Sequence, residues 1–547
     1  MKKKLQALAI IFTCFAMLIS VTACRKNEET ISKTDSSDLS VSEESESDTS
    51  NNSEDELFGT GDDIINDFDN SSDLVIDNSL DNVDTEIDEP LYTVDKDDKP
   101  YVKYPAYLEN PMKSNYDSQA NSLRNEILSS KDELPKSVTG KIWYVSNDGR
   151  VNNPGNSPNK AWDSISTLEY NSANIKPGDA VLFERGDVFR GVLNCQSGVY
   201  YGAYGNGDKP CIYGSDQNYA KAKWTYKNAN IWVCDAPFSA DVGTIIFNHG
   251  EFIGYKKFKN YQLEQNGDFW CDNQNSYRLY MYMDKNPSDA YKSIEIGTNE
   301  HIVNMKSVKN VTFENLCIKY TGAHGFSIRD GCENIVVRGC EIGFIGGSAS
   351  GDVRYGNGIE IWKAGTNILL EKNWVYQIYD SGITPQGAGE YIVKDITMRK
   401  NLIEYCGMGS FEYFLAGEWD VCRGENVIFA DNICRFAGYN WAGKQRSDKV
   451  SKHIRSDYTC RNTIFNFQIK NNIFDQATID IVGIGGTAVT VKDIPQDPKP
   501  ILSGNIYAQN KNGDLGTYFS KYGVFDDDAE YFVKEIIGDK QATIYFY

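Results

Sequence analysis

The sequence predicts an all-β solenoid, in which successive coils of the chain stack on one another. A nine-residue pattern returns six times between Asn310 and Phe474, at intervals too irregular for a helical solenoid. Apolar residues alternate within each copy, as in a strand with one buried face. Asparagine fills the seventh position of the last four copies, which predicts a ladder of side chains about 4.8 Å apart. The copies are NVTFENLCI (310–318), NIVVRGCEI (334–342), NILLEKNWV (367–375), DITMRKNLI (395–403), NVIFADNIC (426–434) and NFQIKNNIF (466–474).

The first 24 residues predict an export signal. Three lysines precede an apolar run, and small residues then lead to Cys24. The stretch Val21-Thr22-Ala23-Cys24 resembles the bacterial lipoprotein box, with a plain signal peptide as the alternative. The resemblance implies that Cys24 carries a lipid and that the exported protein is anchored to the bacterial cell membrane, facing outside.

Residues 25–103 predict an acidic, disordered tether. Between residues 25 and 100 the chain has 25 acidic and 5 basic residues, so this stretch carries −20 of the total net charge of −22. A segment with so few apolar residues cannot bury enough surface to fold, and its charges keep it extended. The remaining chain is nearly neutral. We expect a monomer that does not bind nucleic acid, because the protein is exported and its basic excess is local.

The rest of the chain divides into four predicted segments. A short strand at 142–145 and a helix around Trp162 to Leu168 open the globular part, and a helix is expected within 526–539. The order is a lead-in and N-terminal cap at 104–221, an inserted β-rich subdomain at 222–300, solenoid repeats at 301–510 and a short C-terminal helical cap at 511–547.

The repeats and the helix before them resemble the right-handed parallel β-helix of the pectate-lyase-like superfamily. On that resemblance the nine-residue motif is the second strand of a coil, an Asn turn and the start of the third strand. The first strand then falls in GFSI (325–328), GIEI (358–361), GITP (382–385), SFEY (410–413) and TIDI (478–481), and its solvent face is where substrate lies. The chain lacks the NTDG-type signature of polygalacturonases and the WIDH-type signature of pectate lyases, so their catalytic residues cannot be transferred by position.

Alternation in these first strands predicts a row of outward side chains that includes two carboxylates. Glu360 and Glu412 would lie two coils apart, about 9 to 10 Å at the backbone, with Asp380 entering the groove between them. Converging carboxylates raise one another's pKa, which suits acid–base catalysis, and Glu412 is the candidate acid. Ordinary solvated surface is the alternative. The inward residues are Phe326, Ile359, Ile383, Phe411 and Ile479, and the outward ones are Ser327, Glu360, Thr384, Glu412 and Asp480.

Aromatic and basic residues near these coils are candidates for substrate binding. Aromatic rings on a groove stack against sugar rings, although each ring could equally fill the core. A basic loop at 444–461 suggests recognition of an anionic sugar, with a solvated loop as the alternative. The substrate-binding candidates are Trp362, Tyr379, Tyr413, Trp441, Lys444, Arg446 and His453.

The chain is therefore expected to be a cell-surface glycoside hydrolase acting on plant-type or acidic polysaccharide, without a cofactor. One alternative is a polysaccharide lyase that uses Ca²⁺ to cleave uronates, and another is a non-catalytic glycan-binding or surface protein. Neither CxxC nor HExxH is present. Beyond Cys14 and Cys24 the chain has eleven cysteines, which we expect to be buried free thiols, with one or two disulfides as the alternative.

Overall fold

The computed structural model covers most of the predicted globular part of the chain. The predicted signal segment and tether lie outside the described residues. Within the described part, no helix combines the length and the apolar character needed to cross a membrane. The described residues are 112–351, 353–388, 391–416, 423–446, 451–456, 464–484, 499–511, 513–519, 521–524 and 528–547.

Three long parallel sheets build the molecule, and each coil contributes one strand to each sheet. We call them sheet 1, sheet 2 and sheet 3, in the order in which the chain enters them within a coil. The architecture is the predicted right-handed parallel β-helix.

Sheet 1 contains Leu193–Asn194, Val303–Lys306, Phe326–Arg329, Ile359–Trp362, Ser381–Ala388, Gly409–Glu412, Lys452–Ser456, Asp480–Ile484, Asp514–Tyr518 and Lys521–Val524, with Phe414–Ala416 paired to Ser381–Ala388. Sheet 2 contains Ile142–Val145, Ala180–Glu184, Tyr200–Tyr204, Lys309–Glu314, Cys332–Arg338, Gly365–Glu371, Ile392–Arg399, Arg423–Ala430, Ile464–Lys470 and Ile501–Ser503. Sheet 3 contains Val188–Arg190, Cys211–Tyr213, Cys317–Thr321, Glu341–Ile345, Trp374–Ile378, Leu402–Cys406, Ile433–Ala437, Ile473–Ala477, Ile506–Gln509 and Thr543–Phe546.

The apolar alternation of the repeat fills the interior of the coils. Val311 and Phe313 in one copy, and Ile368 and Leu370 in another, are buried in one continuous core. The motif begins in sheet 2 and continues into sheet 3, as the resemblance implies.

An asparagine ladder lies inside the turn between sheets 2 and 3, as predicted. The amide of Asn373 donates to Oδ1 of Asn401 at 3.1 Å, and Asn401 donates to Asn432 at 3.0 Å. The ladder continues through Asn472 to Asn505, which was not assigned to the column, and ends on the carboxylate of Asp539. Each amide also bonds turn backbone; Asn401, for example, donates to the Leu370 carbonyl at 3.0 Å. The ladder fixes the register of the coils.

A second, more exposed ladder explains why the motif starts with Asn or Asp. Asn334 and Asn367, at the first motif position, have φ of 58° and 53°, in the left-handed region that Asn tolerates. Asn334 donates to Asn310 at 2.8 Å, and Asn367 donates to Asn334 at 2.7 Å. The motif's first residue therefore makes the bend into sheet 2.

Helices lie at both ends of the described chain. Asp117–Leu128 packs through Ala120 and Ile127 on residues of sheet 3. The next helix, predicted around Trp162, spans Ile165–Tyr170, because the hydroxyl of Ser164 caps it by accepting the Thr167 N–H. Other α-helices are Pro287–Ala290, Ala442–Gln445 and Ala529–Tyr531, which continues as the π-helix Phe532–Ile537. Short 3₁₀ turns span Pro158–Lys160, Ser172–Asn174, Tyr219–Lys221, Asn248–Gly250 and Asn260–Gln262.

Two smaller sheets occupy the predicted insertion. Lys256 forms an ion pair with Asp241 and donates to the Gly347 carbonyl at 3.1 Å, which ties this region to the loop after sheet 3. The three-stranded sheet contains Val242–Phe247, Phe252–Ile253 and Ile294–Thr298. The five-stranded sheet contains Trp224–Tyr226, Ile231–Cys234, Tyr255–Lys256, Asp268–Cys271 and Leu279–Tyr282. Ala349–Ser350 pairs with Val353–Arg354 in a separate hairpin.

The nine cysteines in the described part of the chain are all buried free thiols, which confirms the preferred expectation for these residues. They are Cys195, Cys211, Cys234, Cys271, Cys317, Cys332, Cys340, Cys406 and Cys434.

Candidate active site

The outward row of sheet 1 contains the two predicted glutamates. Ser327 pairs in register with Glu360, and Glu360 pairs with Thr384. Because Ile383 pairs with Phe411, Glu412 follows in the same row on the next coil. We call Ser327, Glu360, Thr384 and Glu412 the groove row. Glu360 is 8% exposed and Glu412 is 7% exposed, so both carboxyl groups lie in surroundings that contain little water.

The prediction for the last coils was wrong in one respect. The strand after Gly409–Glu412 is Lys452–Ser456, within the stretch read as a basic loop. Arg455 therefore extends the groove row beside Glu412. Asp480, predicted to lie in the outward row, pairs with Lys452, which is three positions before Arg455. The inward residue that pairs with Ile454 is Val482 and not the predicted Ile479. The strand was missed because charged residues surround its inward-facing Ile454.

A second polar row runs along the turn that precedes sheet 1. Since Phe326, Ile359 and Ile383 are in register, the residues two positions earlier are also neighbours. They are His324, Asn357 and Ser381, and we call them the turn row. Sequence reasoning missed them because it followed each strand forward from its inward residue. Reading two positions back in the same alignment would have found them.

Glu360 is held by two members of the turn row. Nδ2 of Asn357 donates to Oε1 of Glu360 at 3.2 Å, and Nε2 of His324 lies 3.2 Å from Oε2. Nδ1 of His324 accepts the Asn357 N–H at 2.9 Å, so the proton of the neutral ring is on Nε2 and is donated to Glu360. Burial lowers the pKa of His324 to about 4, which keeps the ring neutral near pH 7.

Burial raises the pKa of Glu360 to about 7, and the charge of Asp380 acts in the same direction. The hydrogen bond from Asn357 opposes this rise but does not cancel it. A carboxyl group with this pKa can be protonated at neutral pH and can give its proton to a substrate atom.

Glu412 has cationic and hydroxyl partners instead. Nη1 of Arg455 donates to Oε1 of Glu412 at 2.8 Å, and the hydroxyl of Ser381 donates to Oε2 at 2.6 Å. Burial raises the pKa of Glu412, while Arg455 lowers it and Asp380 raises it. Both carboxyl oxygens of Glu412 are therefore already bonded within the protein.

Asp380 lies close enough to both glutamates to influence their pKa, as the sequence predicted for the coil between them. Its Oδ1 accepts from Nη1 of Arg446 at 3.3 Å, and the Arg446 guanidinium lies 5.2 Å from the centre of the Tyr379 ring. The side chain of Asp380 is 18% exposed, against 10% for Glu360 and 9% for Glu412. It is the most accessible of the three carboxyl groups.

Four of the predicted substrate-binding residues lie near Glu360 or Asp380. Trp362 is partly exposed and lies two positions beyond Glu360, beside Arg329 on the neighbouring strand. Arg446 contacts Asp380 directly. Tyr379 and Trp441 are buried, with ring centres 6.3 Å apart, so they support this part of the site from below.

Two of the predicted binding residues do not face the groove. Tyr413 is 1% exposed and packs on Phe467 in the interior, because it lies two positions after the inward-facing Phe411 and therefore has the same orientation. His453 is completely buried, and Nδ1 lies 2.9 Å from the Ser410 hydroxyl. The side chain of Lys444 lies outside the described part of the structure.

Two hydroxyl groups of the groove row have no hydrogen-bond partner among the described residues. They belong to Ser327 and Thr384, which lie on either side of Glu360. Ser327 is 1% exposed and Thr384 is 0% exposed, so both hydroxyl groups are covered by protein. Buried hydroxyl groups normally have partners, so these two are exceptions.

The three carboxylates do not fit a Ca²⁺ site. Asp380 and Glu412 each already contact a guanidinium group, and Glu360 contacts a histidine N–H. Calcium prefers a cage of oxygen ligands. In the described part of the chain, no three His, Cys, Asp or Glu side chains converge as metal ligands.

Comparisons with known proteins yield structural similarity without sequence similarity. No protein-family model and no curated protein matches the chain. Among solved structures, XylC in complex with xylose is 10% identical over 74% of this chain and 82% of its own, with a TM-score of 0.46. The GH136 lacto-N-biosidase of Eubacterium ramulus is 13% identical over 79% and 70%, with a TM-score of 0.38. The family 28 exopolygalacturonase of Yersinia enterocolitica is 12% identical over 74% and 76%, with a TM-score of 0.34.

Proposed function

We propose that this protein is a glycoside hydrolase, with Glu360 as the general acid and Asp380 as the second catalytic carboxylate. The pKa of Glu360, raised to about 7 by burial in the groove row, is the observation that supports this proposal. Glycoside hydrolysis needs one carboxyl group that protonates the leaving oxygen and one carboxylate that attacks or activates water.

Glu360 suits the acid role better than Glu412, the candidate favoured from the sequence. Both glutamates have a partner on each carboxyl oxygen, but one partner of Glu412 is the Arg455 guanidinium, whose positive charge favours the ionised form. The partners of Glu360 are the Asn357 amide and the neutral His324 ring. Glu412 instead holds the Arg455 guanidinium at 2.8 Å. We assign it as a positioning residue.

Asp380 suits the role of the ionised partner. It contacts Arg446 and is the most exposed of the three carboxyl groups. It precedes the strand that pairs with that of Glu360, and its charge raises the pKa of Glu360. Such a carboxylate either attacks the anomeric carbon, with retention of configuration, or activates water, with inversion.

The groove also offers a group that suits a sugar. Trp362 presents a partly exposed aromatic ring at its edge. Stacking on a ring together with hydrogen bonds to hydroxyl groups is how proteins bind carbohydrates. A plant-type or acidic polysaccharide is the proposed substrate, and no observation on the described residues favours the lyase or the non-catalytic alternative.

The proposed location is the outer face of the bacterial cell membrane, with a lipid on Cys24 and a monomeric globular part. The lipoprotein-box resemblance supports this. Labelling of the full-length protein in cells with a radioactive fatty acid tests it, and a Cys24→Ser variant that keeps the label would refute it.

The enzymatic proposal is tested by incubating the full-length protein with arabinoxylan, β-1,4-galactan, polygalacturonate and alginate. We expect new reducing ends without the ultraviolet absorbance of an unsaturated product, and NMR of the first-formed product shows whether the anomeric configuration is retained or inverted. Glu360→Gln and Asp380→Asn should each lower the rate by about 10²- to 10⁴-fold.

Glu371→Gln is the matched control. Glu371 is as buried as Glu360, at 8% exposure, but lies on sheet 2 and pairs with Arg399. This variant should retain the parent rate. Unchanged hydrolysis in Glu360→Gln, or an absorbing unsaturated product, would overturn the assignment.

A further inference from the structure

A cavity of about 610 Å³ lies beside the inserted five-stranded sheet, away from the groove row. The segment from Tyr255 to Asp268 forms most of its wall, and Gln445 of the helix Ala442–Gln445 also lines it. Its volume falls within the range of about 300 to 1,000 Å³ that is usual for small-molecule sites. The catalytic residues proposed above do not line it.

The cavity contains a buried polar atom without a partner. Gln445 is 8% exposed, and its Nε2 donates to the Gly254 carbonyl at 3.1 Å. Its Oε1 has no hydrogen-bond partner among the described residues. Since a buried amide oxygen normally accepts a hydrogen bond, this atom indicates a place where a ligand donor fits.

The position of Gln445 connects the cavity to the proposed catalytic centre. Gln445 precedes Arg446, which contacts Asp380, and consecutive Cα atoms are about 3.8 Å apart. The same helix packs through Ala442 in a cluster with Tyr379 and Trp441, against which Ile253 of the inserted region lies. One short helix therefore borders both the catalytic carboxylate and the cavity.

The chemistry of the cavity favours a neutral, hydroxyl-rich ligand. Lys257 is paired with Asp268 at 3.2 Å and Lys256 is paired with Asp241, so the charges at these positions are compensated. The remaining charged residue of the lining is Glu264, which disfavours an anionic ligand. Phe258 and Tyr261 line the cavity although they are 51% and 60% exposed. Exposed aromatic rings next to amide side chains suit the apolar faces and hydroxyl groups of sugar rings.

We propose that this cavity is a distal sugar-binding subsite, which holds neutral sugar residues of the same glycan chain that is cleaved at Glu360 and Asp380. The statement that the protein cleaves the glycan bound in this cavity rests on the proposed function. The binding of neutral sugar by Phe258, Tyr261 and Gln445 does not require hydrolysis and can be measured separately.

The test is affinity electrophoresis of the full-length Glu360→Gln protein in gels that contain arabinoxylan, β-1,4-galactan or polygalacturonate. Glu360→Gln is the background because it should leave the gel polymer intact. We expect at least one neutral polymer to retard the protein. Adding Phe258→Ala with Tyr261→Ala should weaken this retardation at least about fivefold, and Gln445→Ala should weaken it about threefold.

Tyr226→Ala is the matched control. Tyr226 belongs to the same five-stranded sheet and is 52% exposed, but it does not line the cavity. Its replacement should leave the retardation unchanged. Any of four results would overturn the subsite: equal retardation of the Glu360→Gln protein with and without the Phe258/Tyr261 substitutions, equal weakening by Tyr226→Ala, retardation by polygalacturonate alone, or no retardation in any gel. If the Glu360→Gln protein is retarded through these residues but the protein with Glu360 intact releases no reducing ends, the proposed hydrolase is refuted and the subsite stands.

Discussion

Glu360 is expected to make the folded protein less stable at about pH 8 than at about pH 5, and Glu360→Gln should remove this contribution. The pKa of Glu360 is raised from 4.5 to about 7 by burial in the folded protein. The folded state therefore holds this proton more tightly than the unfolded chain does. The resulting stabilisation is complete below pH 4.5 and is lost as the pH rises through about 7.

The magnitude follows from the two pKa values. One pKa unit corresponds to about 1.4 kcal/mol. Between about pH 5 and about pH 8, the shift at Glu360 lowers the free energy of unfolding by about 2.5 kcal/mol. Gln keeps the shape of the protonated carboxyl group and does not ionise. The Glu360→Gln protein should therefore lose about 2.5 kcal/mol less than the parent over this interval.

Urea unfolding of both proteins at the two pH values measures this difference. Glu333→Gln is the control, because Glu333 is partly exposed on sheet 2 and pairs with Lys309 at 2.7 Å, and it should follow the parent. If the parent and Glu360→Gln lose the same stability between the two pH values, Glu360 does not hold a raised pKa. The acid assignment would then lose its support.

Two further predictions concern buried contacts. Asn401→Ala removes the partners of the Asn373 N–H and the Leu370 carbonyl, and should lower the free energy of unfolding by about 2 to 6 kcal/mol. Asn367→Gly, in the more exposed ladder, keeps the left-handed turn and should cost less than about 1 kcal/mol; similar losses in both variants would contradict the role of burial. Arg455→Gln leaves the buried carboxylate of Glu412 without its guanidinium and should cost about 3 kcal/mol, more at about pH 8 than at about pH 5. Adding Glu412→Gln should recover most of this loss in urea unfolding, and no recovery would refute the pairing.

Much of the solenoid could be predicted because its signal is local and repeated. The nine-residue motif contains a strand, a turn and the beginning of the next strand, and each copy agrees with the others. The interior Asn ladder could also be predicted, because Asn at one position of four successive copies is typical of side chains that stack and hydrogen-bond in a column. The bend at the motif's first residue was not predicted, although the Asn and Asp of that column indicate the left-handed conformation that the structure shows.

The candidate site was predicted less completely, for reasons that differ between residues. Glu360 and Glu412 were found because they follow apolar residues in regular alternation. Arg455 was missed because its strand has charged neighbours where most strands of sheet 1 have apolar ones. Tyr413 was placed wrongly because it was chosen as an aromatic residue next to Glu412, although alternation from the inward-facing Phe411 indicates an inward side chain.

By itself, the sequence determined that this chain stacks parallel coils and that a row of polar side chains follows one sheet. Both properties depend on the alternation of apolar and polar residues and on the repetition of this pattern. These features can be read from residues a few positions apart in the sequence. Only the tertiary structure decided how deeply each carboxyl group is buried, which residues are its partners and where the inserted region packs. Burial and contacts between coils set these properties, and they join residues such as His324 and Glu360, or Gln445 and Gly254, that are far apart in the chain.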